Sequence, residues 1–78
     1  MAYTIKKSNG LTLAVIPDGV IDVSTDLVLT GKNYLGYGTA VNENFVYLLE
    51  NFANKTAPKN PLSGQLWWNT AKSSLSVY

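Results

Sequence analysis

Apolar and polar residues alternate along much of the first 30 residues, with the period of two that is typical of β-strands. The first alternation runs through YTIKK and the second through LTLAVI; between them SNG contains an Asn-Gly pair, which favours a tight hairpin. A second turn, PDG, and the bend at Ser24-Thr25 separate two further short apolar runs. The pattern therefore predicts strands at residues 3–7, 11–16, 20–23 and 26–30.

The next apolar pattern has the spacing of one helix face. Within TAVNENFVYLLENFAN, apolar residues recur at i, i+4, i+7, i+8 and i+11. We expect a helix over residues 39–54, with Thr39 as its N-cap and Glu43 near the positive end of the helix dipole. A continuous stripe of this kind usually belongs to a core, and its members here are Val41, Phe45, Leu48, Leu49 and Phe52.

After the predicted helix come Pro58 and Pro61, which cannot continue it. We therefore expect residues 54–64 to cross the domain as a semi-extended connector. QLWWNT and SLSVY then form a closing hairpin around AKS. Because neighbouring side chains of a strand point to opposite faces, only one of the two adjacent tryptophans can enter the core. We assign Trp67 to the outer face, with Tyr78 beside it, and place four hairpin residues in the core: Leu66, Trp68, Leu75 and Val77.

Together these elements predict a small α+β domain. A central helix at about residues 39–54 packs on a small antiparallel sheet built from the N-terminal and C-terminal hairpins. The 78 residues suffice for one domain, but the apolar area that a chain of this length buries only just balances the entropy lost on folding. No cysteine is present to form a disulfide, so contact with other protein is the remaining common source of stability.

The residue inventory limits the chemistry. Histidine and cysteine are absent, which excludes a Ser-His-Asp triad and a His- or Cys-ligated metal. The net charge is +1 and there is no arginine, which argues against nucleic acid as a partner. No apolar run approaches the roughly 20 residues of a membrane span. The glycine-rich segment 31–38 has neither Walker nor Rossmann spacing, and we interpret it as a connector. We predict no enzymatic activity, no cofactor, no metal, no nucleic-acid partner and no membrane partner.

One catalytic alternative is left open by two carboxylates. Glu43 and Glu50 are separated by two helical turns, roughly 10 Å, a distance comparable to that in inverting glycosidases. The alternative, two solvated charges on the outer face of the helix, is favoured because nothing else in the chain looks like a sugar subsite.

Several stretches together resemble one group of proteins. They are MAYTIKKSNG, GKNYLGYG followed by NENFVYLLENFAN, NPLSGQLWWNT, and the final LSVY. They are similar to the N-terminal module of tail-fibre and related virion structural proteins of large contractile-tailed bacteriophages, including those of marine cyanobacteria. The most specific part is G-x-L-W-x-[ND]-T, a short turn, and L-x-V-Y.

The resemblance implies a structural protein of the virion, in a tail fibre or the baseplate, that acts in assembly or host attachment. It implies protein partners in the virion and a homo-oligomer, since fibre proteins of this kind are generally trimers, although no heptad in the chain supports a trimer. It also implies the first module of a longer polypeptide, because in such proteins the pattern continues beyond the position of Tyr78.

The chain is rich in aromatic residues, a class that is enriched in protein interfaces. Our candidates for interface contacts are Trp67, Tyr78, Tyr34, Tyr37 and Tyr47. For Trp67 an equal alternative is cover by the 54–64 connector of its own chain. A second functional hypothesis is a receptor- or carbohydrate-binding module, in which an exposed Trp or Tyr stacks on a sugar ring.

Overall fold

The computed structural model describes all 78 residues, which form six short strands and one helix. The predicted α+β class, small antiparallel hairpins together with one helix, is confirmed. The strands form three separate antiparallel pairs, β1–β2, β3–β4 and β5–β6, rather than one shared sheet. In chain order the elements are β1 (Tyr3–Lys6), β2 (Thr12–Ile16), β3 (Ile21–Asp22), β4 (Leu29–Thr30), α1 (Tyr37–Leu49), β5 (Leu66–Asn69) and β6 (Ser74–Val77).

Strands β1 and β2 form the N-terminal hairpin that the alternation predicts. Ile5 pairs with Ala14, and the Asn-Gly turn closes the hairpin with a hydrogen bond from the Gly10 N–H to the Lys7 carbonyl oxygen at 2.9 Å. Gly10 has a φ of 87°, a conformation that a residue with a Cβ rarely adopts. Strand β2 carries both buried apolar side chains of the protein, Ala14 and Ile16, the latter only 1% exposed. The small core therefore lies at β2.

Two backbone hydrogen bonds extend the β3–β4 pairing toward the turn that follows β2, where the chain segments approach closely. The Gly31 N–H donates to the Val20 carbonyl oxygen at 2.7 Å, and the Gly19 N–H donates to that of Lys32 at 2.7 Å. Gly31 is buried, and a Cβ at this position would lie 2.1 Å from the carbonyl oxygen of Pro17. Only glycine fits at position 31 without movement of the backbone.

Helix α1 begins earlier than the sequence pattern predicts. Its N-cap is Gly36, which has a left-handed conformation with a φ of 88°. The Gly36 carbonyl oxygen accepts the first helical hydrogen bond, from the Ala40 N–H at 3.2 Å. The prediction that Thr39 is the N-cap is wrong, because the left-handed glycine turns the chain into the helix before that residue.

Helix α1 also ends earlier than predicted, at Leu49 rather than in the region of residue 54. The N–H groups of Asn51 and Phe52 bond back to the carbonyl oxygens of Leu48 and Tyr47, at 3.1 and 2.8 Å. This pair of bonds is a Schellman motif, which needs a left-handed residue just after the helix. Asn51 supplies it with a φ of 52°, and asparagine is the residue after glycine that most readily does so.

The face of α1 that packs on the rest of the protein is centred on Asn44, the one buried residue of the helix. Helix α1 packs chiefly on β4, and the Asn44 amide forms two hydrogen bonds with the backbone of Val28, just before β4. These bonds determine which face of the helix turns inward. At 3.6 residues per turn, the predicted stripe is centred about a quarter of a turn away from that face.

Most of the predicted helix stripe is consequently exposed. Phe45 is 57% exposed and Leu48 and Leu49 are also exposed, whereas Val41 and Phe52 are half-buried. Of the predicted core residues of the helix, the prediction is therefore wrong for Phe45 and Leu48, whereas Val41 and Phe52 are partly covered. The reason is that the backbone groups of Val28 require a polar partner, and Asn44 turns toward them in place of the stripe.

The hairpin residues predicted in the core are also exposed. The helix packs on β4 rather than on the C-terminal hairpin, so α1 does not cover this apolar face. The core prediction is wrong for each of the four residues, Leu66, Trp68, Leu75 and Val77.

The predicted connector has no regular structure, and Asp26 holds it in place. One carboxylate oxygen, Oδ1, accepts hydrogen bonds from the N–H groups of Lys59 and Asn60 at 3.0 and 3.2 Å. The other, Oδ2, accepts one from Nε2 of Gln65 at 2.9 Å. Asp26, in the β3–β4 loop, thus forms hydrogen bonds with both the connector and Gln65, the residue that precedes β5.

Candidate functional site: an exposed apolar hairpin face

The C-terminal hairpin presents one apolar face to solvent. Leu66 lies opposite Val77, and Trp68 lies opposite Leu75. Alternate residues of a strand share a face, so these four side chains form one surface, as the pattern predicts. They are between 37% and 68% exposed. We call this surface, made of Leu66, Trp68, Leu75 and Val77, the hairpin face.

The opposite side of the hairpin lies against its own chain. Trp67, which pairs with Ser76, is half-buried, and its indole Nε1 donates a hydrogen bond to the carbonyl oxygen of Asn54 at 3.2 Å. Asn54 is the first residue of the connector. The alternative reading of Trp67, cover by its own connector, is therefore the arrangement observed, and Trp68 is the more exposed tryptophan.

The segment that follows α1 explains why Trp67 turns inward. The Trp68 N–H donates to the Asn51 carbonyl oxygen at 2.9 Å, and the Trp68 carbonyl oxygen accepts from the Asn54 N–H at 3.2 Å. Asn54 also forms a parallel bridge with Asn69. Residues 51–54 thus run beside β5 without forming a strand, and they carry the Asn54 carbonyl group to the Trp67 side of the hairpin.

The structure divides the tyrosine candidates between different regions. Tyr34 and Tyr47 line one cleft of about 270 Å³ beside α1, and Tyr37 is the exposed first residue of that helix. Tyr78 directly follows β6, and its N–H donates to the Gln65 carbonyl oxygen at 2.9 Å. Of the predicted interface residues, only Trp67 and Tyr78 belong to the hairpin, and Trp67 lies on its covered side.

The sequence pattern placed the members of the exposed surface in the core and therefore missed the surface itself. The sequence contains one indication of an exposed face. The chain has a single helix, which would have to cover both hairpins, and each strand of the C-terminal hairpin contributes only two apolar side chains to this face. A second apolar surface that the pattern missed lies on α1, where Phe45, Val46, Leu48 and Leu49 are exposed.

The protein has more surface than a compact monomer of its size. Its accessible area is 5507 Å², whereas a folded monomer of 8.5 kDa has about 4,700 Å². Its radius of gyration is 13.7 Å, against about 11.5 Å for a compact domain of this length. The molecule is an elongated plate of 43 × 28 × 17 Å. About 800 Å² of surface is thus in excess of what a self-contained domain exposes.

The two candidate catalytic carboxylates lie in different places. Glu43 lines the cleft that contains Tyr34 and Tyr47, whereas Glu50 is the C-cap of α1, and both are exposed. No group of three acidic side chains is close enough together to hold a metal ion. The structure contains no helix with the length and apolar character that crossing a membrane requires.

One carboxyl group has a shifted pKa. The hydroxyl of Ser24 donates to Oδ1 of Asp22 at 2.5 Å, and the Ser24 N–H donates to the same oxygen at 3.0 Å. These two bonds hold the pKa of Asp22 below its ordinary value, because they stabilise the charged form. They close the turn after β3 and lie outside the hairpin face.

Comparisons with protein-family models, with curated proteins and with solved structures found no match for this chain.

Proposed function

We propose that this protein is a structural module of a phage virion, in a tail fibre or the baseplate, that acts in assembly or host attachment through contacts with other protein chains. The observation that carries the proposal is the hairpin face, an apolar surface that its own chain leaves uncovered. The resemblance of its residues to tail-fibre modules supplies the virion context.

The energetics of the chain favour a partner. Only two apolar side chains, Ala14 and Ile16, are buried, and the surface exceeds that of a compact monomer by about 800 Å². That excess is about the area that each partner buries in a protein–protein interface of standard size. Covering apolar surface contributes roughly 25 cal/mol per Å², so association stabilises a chain whose own core is small.

Protein contacts fit the hairpin face better than a sugar does. Sugar sites combine a stacking aromatic ring with polar groups that bind the hydroxyls. The neighbours of Trp68 on this face are Leu66, Leu75 and Val77, none of which forms side-chain hydrogen bonds. Aliphatic neighbours around an aromatic anchor are instead typical of the dry centre of a protein interface.

The proposal includes self-association in the virion. The resemblance implies a homotrimer, and additional virion proteins are the expected neighbours in a fibre or baseplate. No nucleic acid or membrane partner is part of the proposal, in keeping with a net charge of +1 and no arginine.

Incorporation into particles tests the proposal. The encoding phage, with this gene disrupted, is complemented with the natural chain, with Leu66→Glu, which places a charge in the hairpin face, or with Val23→Glu. Val23 is an exposed apolar residue outside that face and is the matched control. We expect at least about tenfold fewer infectious particles with Leu66→Glu and an unchanged number with Val23→Glu, since an unpaired charge is costly to bury in an interface.

Circular dichroism of both purified variants checks that the fold is retained. Mass spectrometry of washed natural particles provides the second readout, and we expect peptides of the chain to be present. Infectious particles that lack the chain, or equal effects of the two substitutions, would contradict the proposal.

A further inference from the structure

Strand β6 is an open edge of its sheet. The N–H and carbonyl groups of Trp68 bond to Asn51 and Asn54, on the side of β5 away from β6. In an antiparallel pair, opposite residues point their backbone groups either both toward each other or both outward. Since Trp68 points outward, its opposite residue Leu75 does so too, and Val77, two residues along, has the same orientation.

This edge has none of the usual protection. Proteins commonly block an open strand edge with a charged residue, a proline or a β-bulge, because free N–H and carbonyl groups pair with any available strand. Ser74–Val77 has the sequence SLSV, which contains no charge and no proline, and its register with β5 is regular. The edge is therefore competent to accept another strand.

We propose that β6 of a second copy of this chain pairs with it in antiparallel orientation, across a two-fold axis at Ser76. The inference rests on the proposed role in assembly, names the partner of one element, and departs from the three-fold arrangement that the resemblance implies. It predicts a continuous four-stranded sheet across two protomers, in the order β5–β6–β6–β5.

The register follows from the directions of the backbone groups. Within β6, only Leu75 and Val77 direct their backbone N–H and carbonyl groups away from β5. Pairing must therefore set these two residues opposite the same two residues of the second copy. With Leu75 opposite Val77, and Val77 opposite Leu75, both residues of each strand exchange hydrogen bonds, which gives four bonds. Either neighbouring register of the same parity sets only one of these two residues opposite a residue of the second β6. Ser76 then faces Ser76 of the second copy on the axis.

A second copy suits this edge because the edge is complementary to itself. In a two-fold pairing any charged residue near the axis would face its own charge, and residues 74–78 carry none. A net charge of +1 adds little repulsion between copies. The pairing also joins the two hairpin faces into one surface of eight apolar side chains, a larger target for the other proteins of an assembly.

Cysteine cross-linking tests the register directly, because the natural chain contains no cysteine. In a non-hydrogen-bonded antiparallel pair the Cα atoms are about 4.5 Å apart, within the range that a disulfide spans. Ser76→Cys is therefore expected to form a covalent dimer on mild oxidation of the full chain. Ser74→Cys is the matched control, because the two copies of residue 74 lie about 13 Å apart in this register.

The mass of the natural chain, measured by light scattering over a concentration series, provides the second readout. We expect a monomer–dimer equilibrium that Leu75→Pro shifts at least about tenfold toward monomer, because proline removes an outward N–H while leaving the bonds to β5 intact. Leu66→Ala, which trims the hairpin face on the inner strand, is expected to keep the dimer.

Equal cross-linking of the two cysteine variants, a trimer in solution, or a monomer that binds only strands of other proteins would overturn the two-fold pairing. Those results leave the virion proposal intact if Leu66→Glu still prevents incorporation. Conversely, a specific Ser76→Cys dimer with normal incorporation of Leu66→Glu would support the pairing and contradict the proposed use of the hairpin face.

Discussion

Asn44 binds both backbone groups of Val28, sixteen residues away in the chain. Its Oδ1 accepts from the Val28 N–H at 3.0 Å, and its Nδ2 donates to the Val28 carbonyl oxygen at 2.7 Å. Val28 has no neighbouring strand to pair with, and the Asn44 side chain forms the hydrogen bonds that such a strand would form. One polar side chain on the buried face of α1 therefore positions the helix against the β3–β4 pair.

Removal of this amide is expected to be costly. Asn44→Ala loses two hydrogen bonds and leaves two partly buried backbone groups without partners, so we expect the free energy of unfolding to fall by about 2–3 kcal/mol. Urea unfolding followed by circular dichroism measures the change. Asn42→Ala, at an exposed position on the same helix, is the matched control and should change the free energy by less than about 0.5 kcal/mol. Similar losses in the two variants would show that Asn44 does not position the helix.

The second prediction concerns the close approach at Gly31. Gly31→Ala places a methyl group 2.1 Å from a backbone oxygen that cannot move independently of the chain. We expect a loss of about 3 kcal/mol or more, or failure to fold, since overpacking against backbone is poorly relieved.

Gly38→Ala is the control for a general effect of replacing glycine. Gly38 lies in the first turn of α1 with no atom near its missing Cβ, so alanine should stabilise the helix by roughly 0.5 kcal/mol. Thermal unfolding of both variants is the measurement. Normal stability of Gly31→Ala would mean that the β3–β4 pair does not sit so close to the turn after β2.

Local patterns were sufficient to predict the elements of this fold. Alternation with an Asn-Gly turn located the first hairpin, and the paired short strands at the end located the second, because both signals lie within a few residues of each other. The rotation of α1 was not predictable in this way. It depends on the contact between Asn44 and Val28, and the apolar stripe of the helix predicted a different inward face.

For a related reason, the sequence pattern did not predict which face of the C-terminal hairpin the rest of the chain covers. Alternation establishes that Trp67 and Trp68 lie on opposite faces, but not which face the rest of the chain covers. That choice depends on the Schellman motif at Asn51, which sends residues 51–54 along β5. The exposed hairpin face is thus a consequence of how the helix ends, and apolar composition alone suggested a core.

The third prediction follows from the shifted pKa of Asp22. Because its folded pKa lies below its unfolded value, its contribution to stability is present above the unfolded value and is lost as the pH falls through the folded pKa. With an ordinary aspartate pKa of about 3.9, that window lies below about pH 4. We expect Ser24→Ala, which removes the strongest bond, to raise the pKa of Asp22 toward its ordinary value. A carbon-detected NMR titration of the carboxyl group measures this, with the exposed Ser8→Ala as control. An unchanged pKa in Ser24→Ala would show that the hydroxyl is not its cause.

The last prediction uses the two adjacent tryptophans as a matched pair. Trp67→Phe keeps an aromatic ring on the covered side of the hairpin but removes the bond from Nε1 to the Asn54 carbonyl oxygen, so we expect a loss of about 1 kcal/mol in urea unfolding. Trp68→Phe removes no hydrogen bond from an exposed side chain, and the change should stay within about 0.5 kcal/mol. Quenching of fluorescence by acrylamide should be weaker in Trp68→Phe, where only the half-buried Trp67 still emits, than in Trp67→Phe. The opposite order in both measurements would mean that Trp68 is the covered tryptophan, and the hairpin face would then lie on the Trp67 side.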